Sequence, residues 1–293
     1  MVIFIYLAIV LLSVTQSAST KLFNRRSSNS SVFNTTKALS SFVLFFLMAI
    51  GGFELHLPTL LFGLLYGAFL CLSMYTGYKA LCLGPMALTS MLVSFSIIVP
   101  LIWGVTFGNE DLSMLKIVAL ILLFASIILT NADKIFGRGD IKGRRGDSIN
   151  GGRGKWMLYV GMTFLCNGGC SILQKQHQEL YPNSYSSMFM FFAMLLCTII
   201  FSAIVLSKNS IAEIKATKGK WLGVVSGVAN GGAAFLTLIL AGSENASVLF
   251  PIISAGTLLG AILCGRILFK EKLRINHFFA LGFGMLGVVL MKL

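Results

Sequence analysis

The amino-acid sequence predicts an all-α polytopic membrane protein, ten transmembrane helices arranged as two inverted five-helix repeats. Three observations carry this. Of the 293 residues, 56% are hydrophobic and 11% charged, where a soluble domain carries about 25% charged residues. The apolar residues fall in ten separate stretches, each near the ~20 helical residues that a hydrocarbon core about 30 Å thick requires. Finally, 20 of the 23 lysines and arginines lie on or beside alternate connections between those stretches. So few charges exclude a soluble enzyme, a disordered chain and a single-anchor protein with a large water-soluble head. They also leave no room for a separate nucleotide-binding domain.

In chain order the ten stretches run near 2–20, 38–54, 59–82, 86–107, 113–131, 156–175, 185–206, 221–241, 246–268 and 275–292. They are continuous apolar runs without period-2 alternation, which argues for helices over a β-barrel. Helices satisfy their own backbone groups, as lipid demands. The first stretch is read as a span: a secretion signal has its positive charge before the apolar core, whereas here Lys21, Arg25 and Arg26 follow it. Gly63 and Gly67, then Gly223, Gly227 and Gly231, then Gly256 and Gly260 recur at four-residue spacing. Such small-residue faces let helix backbones approach closely, though the spacing names no partner helix.

The connections after spans 1, 3, 5, 7 and 9 hold the basic residues, leaving only Lys116, Lys175 and Lys292 on the opposite side. By the positive-inside rule the basic loops are cytoplasmic and both termini face out. The +13 net charge is thereby a topology signal, and no nucleic-acid partner is expected. Asn29, Asn34 and Asn245 stand in N-x-S/T patterns, but the first two lie on the side expected to be cytoplasmic, where glycosylation does not occur.

The chain divides at its longest hydrophilic stretch, giving a first repeat at 1–131, a basic Gly-rich linker at 132–155 and a second repeat at 156–293. Tyr6 to Lys21 resembles Tyr159 to Lys175, and Glu110-Asp-Leu112 before span 5 resembles Glu271-Lys-Leu273 before span 10. At the same offset Ala119, Leu120 and Leu129 meet Ala280, Leu281 and Leu290. An odd number of spans per half puts the copies in opposite orientations, the arrangement of transporters that alternate access about a midplane site.

Five plus five spans, a charged linker, Gly-Asn-Glu110-Asp-Leu-Ser and Phe-Lys-Glu271-Lys-Leu-Arg together resemble the drug/metabolite transporter superfamily, and within it the EamA-like branch. The resemblance implies a helical secondary carrier, many members being exporters of amino acids or other small metabolites. Span 1, with Tyr6-Leu7 and small residues ending in Thr20-Lys21, also resembles the first helix of the small multidrug resistance family. That family's cation-binding carboxylate lies eight residues before the lysine. Here those positions are Ser13 and, counting back from Lys175, Asn167.

Candidate site residues follow from membrane depth. The span midsections contain no Asp or Glu, so a carboxylate-type cation site is not expected. Lys79, with Tyr75 one turn before it, could meet an anionic group of a substrate or snorkel to the surface. Lys175 is expected to snorkel. Ser13 and Gln16 in span 1, Asn167 in span 6 and Asn230 in span 8 could hydrogen-bond a neutral or zwitterionic solute, or act as interhelical glue. The substrate-binding set is therefore Ser13, Gln16, Tyr75, Lys79, Asn167 and Asn230. Pro100 and Pro251, inside spans 4 and 9, remove helix hydrogen bonds and are gating candidates.

The six cysteines lie in apolar spans without C-x-x-C spacing, the histidines are scattered, and Gly137 to Gly146 lacks the ending of a phosphate-binding loop. No cofactor, metal or catalytic residue is expected. The sequence thus points to a plasma-membrane carrier exporting a small polar metabolite, with a multidrug or sugar carrier and a non-transporting receptor or scaffold as alternatives. The bilayer and a small-molecule substrate are the expected partners, with room for a coupling ion or proton and for a homodimer.

Overall fold

The computed structural model describes residues 2–26, 29–50, 54–83, 89, 92–108, 113–136, 149–182, 184–208, 211–269 and 275–292. Among these residues there is no strand. The helices are α1 (Val2–Arg26), α2 (Ser30–Ile50), α3 (Leu57–Leu83), a 3-10 turn (Phe95–Ile97) leading into α4 (Ile98–Thr106), α5 (Met114–Phe136), α6 (Ile149–Leu180), α7 (Ser186–Lys208), α8 (Ile211–Ala216), α9 (Lys220–Ala241), α10 (Ala246–Phe269) and α11 (Ile275–Lys292).

Seven segments are long and apolar enough to cross a membrane: Val2–Phe23, Ser31–Ile50, Leu57–Gly77, Gly154–Leu180, Ser186–Ser207, Lys220–Ala241 and Ala246–Gly265. Three shorter apolar helices, Leu92–Thr106, Met114–Leu129 and Phe278–Leu290, stand where spans 4, 5 and 10 are expected. Length and apolarity therefore indicate a multi-pass helical membrane protein, with seven candidate crossings among the described residues. Large apolar side chains point outward along the helices, with Phe4 76%, Leu11 66% and Ile267 73% exposed. Apolar surface of this extent has no place in water and fits contact with lipid tails.

Helix ends depart from the sequence expectation in instructive ways. Helix α2 begins eight residues before its apolar run because Asn29 caps it, its Oδ1 accepting from the Val32 amide at 3.3 Å. Helices α5 and α6 continue to Phe136 and from Ile149, so helix occupies both edges of the stretch read as linker. Gly219, at φ 80°, makes the left-handed turn into α9, a conformation that costs glycine nothing.

The chain folds as two compact units, Met1–Cys71 with Leu173–Glu244 and Leu72–Ile172 with Asn245–Leu293. In the first, α9 packs along α1 and α2, and α2 along α7. Phe23, Phe33 and Leu222 form one buried cluster, and Ala49, Met188 and Phe192 another. Glycines set the spacing. A methyl on Gly63 or Gly67 would meet the backbone carbonyls of Phe189 and Ala193 at 2.7 Å, so α3 lies against α7 with backbone touching backbone. In the second unit α11 packs along α5 and α10. Gly284 and Gly287 of α11 face Leu259, Ser126, Leu123 and Ala119, and Ser126 donates to the Ala280 carbonyl at 2.7 Å.

Candidate functional site

Each unit carries its own polar set within the membrane helices. In the second unit, residues of α3 and α6 form two hydrogen-bonded rungs one turn apart. The Ser73 hydroxyl donates to Asn167 Oδ1 at 2.5 Å, and the Thr76 and Thr163 hydroxyls meet at 2.8 Å. Asn167 is half-buried. Its acceptor is engaged, and its amide nitrogen has no protein partner among the described residues. Close packing recurs beside it, since a methyl on Gly168 would run into Val99.

Tyr75 and Lys79 lie on another face of α3, four residues apart. The Lys79 ammonium stands 5.9 Å from the Tyr75 ring centroid, within the range of a cation–π contact. Tyr75 is 38% exposed, and Lys79 is half-buried. The pair is a positive group over the ring of a partly exposed tyrosine.

In the first unit Ser13 and Gln16 on α1 and Asn230 on α9 are half-buried. These two helices pack together, Gly232 facing Leu12. The backbone carbonyls of Ser13 and Gln16 accept from Ser17 and Thr20 at 3.0 and 2.8 Å, bending bonds common for Ser and Thr in apolar helices. Of the two gating candidates, Pro100 is buried in α4 and Pro251 is buried inside α10. The boundary residues Glu110 and Glu271 lie outside the described residues.

Lys175 corrects the expectation of a snorkelling side chain. It is 6% exposed, and its ammonium donates to the Ala241 and Glu244 carbonyls at 3.2 and 2.7 Å. Glu179 lies 3.4 Å away, one turn on. The reason is local: the end of α9 presents carbonyls without intrahelical partners and the negative end of its dipole, and a lysine satisfies both. Gln174, one residue earlier, donates to the Ala234 carbonyl at 3.2 Å and to the Tyr66 hydroxyl at 3.4 Å.

Two further sites were not legible in the sequence. Lys37, counted there with the loop cations, sits inside α2 and is 8% exposed. No ion-pair partner for it occurs among the described residues. The other site is a row of polar side chains in the first unit, where α6 gives way to α7. Thr59 Oγ1 lies 2.9 Å from His56 Nδ1 and 3.1 Å from His177 Nε2. Gln178 Nε2 then meets His177 Nδ1 at 3.3 Å and donates to the Ser186 hydroxyl at 2.9 Å. The three histidines are 121 and 100 residues apart in sequence, and only folding of α3 against α6 and α7 brings two together. Among the described residues no group of three or more His, Cys, Asp or Glu could hold a metal ion.

The fold and its polar sets define a class: a polytopic α-helical membrane protein with hydrogen-bonding groups inside its helix bundles. The EamA-like transporter family model matches residues 154–293, and this portion of the chain is EamA-like, as the boundary motifs led one to expect. A solved structure titled only "Crystal structure of protein" is similar over 98% of this chain and 94% of its own, with a TM-score of 0.77 at 13% identity. At that identity the likeness concerns the fold alone. No curated protein matches.

Proposed function

We propose that this chain is a secondary carrier that moves a small polar metabolite, an amino acid or related compound, outward across the plasma membrane by alternating access. The match of residues 154–293 to the EamA-like transporter family carries the reading. In it, the three shorter apolar helices complete ten crossings, the two five-helix halves are inverted repeats, and the basic loops are cytoplasmic with both termini outside. Ser13, Gln16, Tyr75, Asn167 and Asn230 line the substrate's route, Lys79 receives its carboxylate, and Pro100 and Pro251 serve gating. The Asn167 amide nitrogen, which has no protein partner among the described residues, and the partial exposure of Tyr75 beside Lys79 support those roles. The carrier's partners are its solute and the bilayer, with room for a coupling ion or proton and for a homodimer.

The test has two stages. A thermal-shift panel of amino acids, sugars, organic anions and lipophilic cations is run on detergent-purified protein. A ligand at 100 times its dissociation constant stabilises the folded state by about 2.7 kcal/mol. Flux of any stabilising solute is then measured in proteoliposomes. Stabilisation and flux of a zwitterion or carboxylate are expected. Stabilisation by lipophilic cations alone would replace this reading with drug efflux, and binding without flux would make the protein a receptor.

A further inference from the structure

Helices α2 and α9 of the first unit bring together polar side chains that the protein leaves unanswered. Gly223 meets Phe33 and Thr36, Gly227 meets Lys37 and Ser40, and Gly231 meets Ser41 and Phe45. Residue numbers rise together along this contact, so the two helices run in the same direction and Lys37 lies level with Gly227. Their lipid-facing sides are marked by Leu39, Val43 and Leu47 on α2 and by Trp221, Val224 and Val228 on α9, all exposed. Lys37 and Ser226 turn away from those sides and are 8% and 0% exposed. Asn230, one turn beyond Ser226 on the same face of α9, is half-buried.

None of the three is satisfied within the described residues. The Ser226 hydroxyl is buried without a hydrogen-bond partner, and the Lys37 ammonium and Asn230 amide have neither a hydrogen bond nor an ion pair there. Buried polar groups without partners are rare in native folds, and an unpaired ammonium is rarer still. The unit supplies no counter-charge either. Its acidic residues are Glu54 before α3, Glu179 in the last turn of α6, Glu213 in the short α8 and Glu244 after α9. All lie at span ends or outside the spans, and Glu179 is paired with Lys175. Water would answer the hydroxyl and the amide but not the charge. An anion answers all three, because the ammonium, the hydroxyl and the amide N–H are all donors.

We propose that Lys37, Ser226 and Asn230 form an anion subsite of the first unit, where Lys37 receives a carboxylate of the solute. This deepens the carrier reading above and rests on it for the anion being the transported solute. The subsite adds a second cation to the solute's route, in the unit to which Lys79 does not belong. An ionisable side chain at membrane depth is costly to keep, and a ligand that brings the missing charge gives it a use.

The first measurement reads local charge and needs no knowledge of the solute. The full-length Ser226→Cys variant, purified in detergent, is labelled with an anionic and a cationic methanethiosulfonate, and peptide mass spectrometry follows the introduced thiol apart from the native cysteines. The position is sealed in this structure, so labelling reports the opening that alternating access requires. Relative to a free thiol, the anionic reagent should be preferred by about tenfold or more, the effect of a nearby unit charge at an effective dielectric of about 20. Adding Lys37→Met should abolish the preference and adding Lys37→Arg should keep it, with Lys37→Gln used instead should the methionine variant fold poorly. The second measurement adds an equimolar mixture of α-amino acids, which should slow the labelling, whereas the corresponding amino-acid amides, lacking the carboxylate, should not. No labelling by either reagent, equal rates, or a preference that survives loss of the lysine would overturn the subsite. Equal protection by acids and amides, or protection by neither, would overturn the carboxylate as its ligand. Wild-type flux of the same amino acids in proteoliposomes decides the carrier reading separately. Absent flux beside anion-selective labelling would overturn that reading and leave the subsite, and flux beside unselective labelling would do the reverse.

Discussion

Ser41 of α2 donates its hydroxyl to the Gly227 carbonyl of α9 at 2.7 Å, so the two helices touch where α9 has no side chain. A methyl on Gly227 would collide with Ser40 Oγ and the Lys37 carbonyl, and one on Gly223 would collide with Thr36. Glycine here is a packing requirement. In lipid, where helices gain nothing from hiding apolar surface, such close approach is the main source of association.

Gly227→Leu should therefore separate α2 from α9 and lower stability by about 1–3 kcal/mol or more, the usual cost of overpacking. The check is a fall in the melting temperature in detergent. Gly161→Ala on α6 is the matched control, because nothing lies within 4 Å of the added methyl. It should leave the protein unchanged or stabilise it by up to about 1 kcal/mol through helix propensity.

Lys175→Met should destabilise the first unit by about 1–3 kcal/mol, since it strips partners from the Ala241 and Glu244 carbonyls. Lys79→Met should cost less than about 1 kcal/mol, the worth of an exposed cation–π contact. Measured side by side, a larger effect at Lys79 would invert the roles given to the two lysines.

Asn167 and Ser73 share one hydrogen bond, so their alanine variants separate glue from substrate contact. Asn167→Ala is expected to impair flux with insertion intact, while Ser73→Ala loses about 0.6 kcal/mol of stability, the mean for such bonds in membranes, and keeps flux. Equal flux losses in both variants would make the pair glue alone. Lys79→Ala should also impair flux of carboxylate-bearing solutes.

Lys37 is a buried cation in α2 without an ion-pair partner among the described residues. Holding a charge at membrane depth costs about 2.5–3.5 kcal/mol on insertion scales, so Lys37→Met should hold or raise the melting temperature. A clear drop would show that the ammonium has a structural partner.

The sequence by itself determined the class of this protein. Fifty-six per cent hydrophobic residues in long runs belong in lipid, which offers the backbone no hydrogen bonds, and helices, which satisfy their own, follow. The Glu110 and Glu271 boundaries, with the charge pattern, pointed to the EamA-like family, which the match over residues 154–293 supports. The glycine stripes announced close packing because a missing Cβ is a local property. Their partners, α7 for Gly63 and Gly67 and α2 for Gly223 and Gly227, are not local properties, and only the folded chain names them. The same division explains the polar residues. Amides at membrane depth were visible in the sequence, whereas the burial of Lys37, the capture of Lys175 by the end of α9 and the meeting of His56 with His177 through Thr59 were decided by tertiary structure. A hydrogen bond between residues 118 positions apart depends on which faces of three helices meet, and no run of neighbouring residues encodes that.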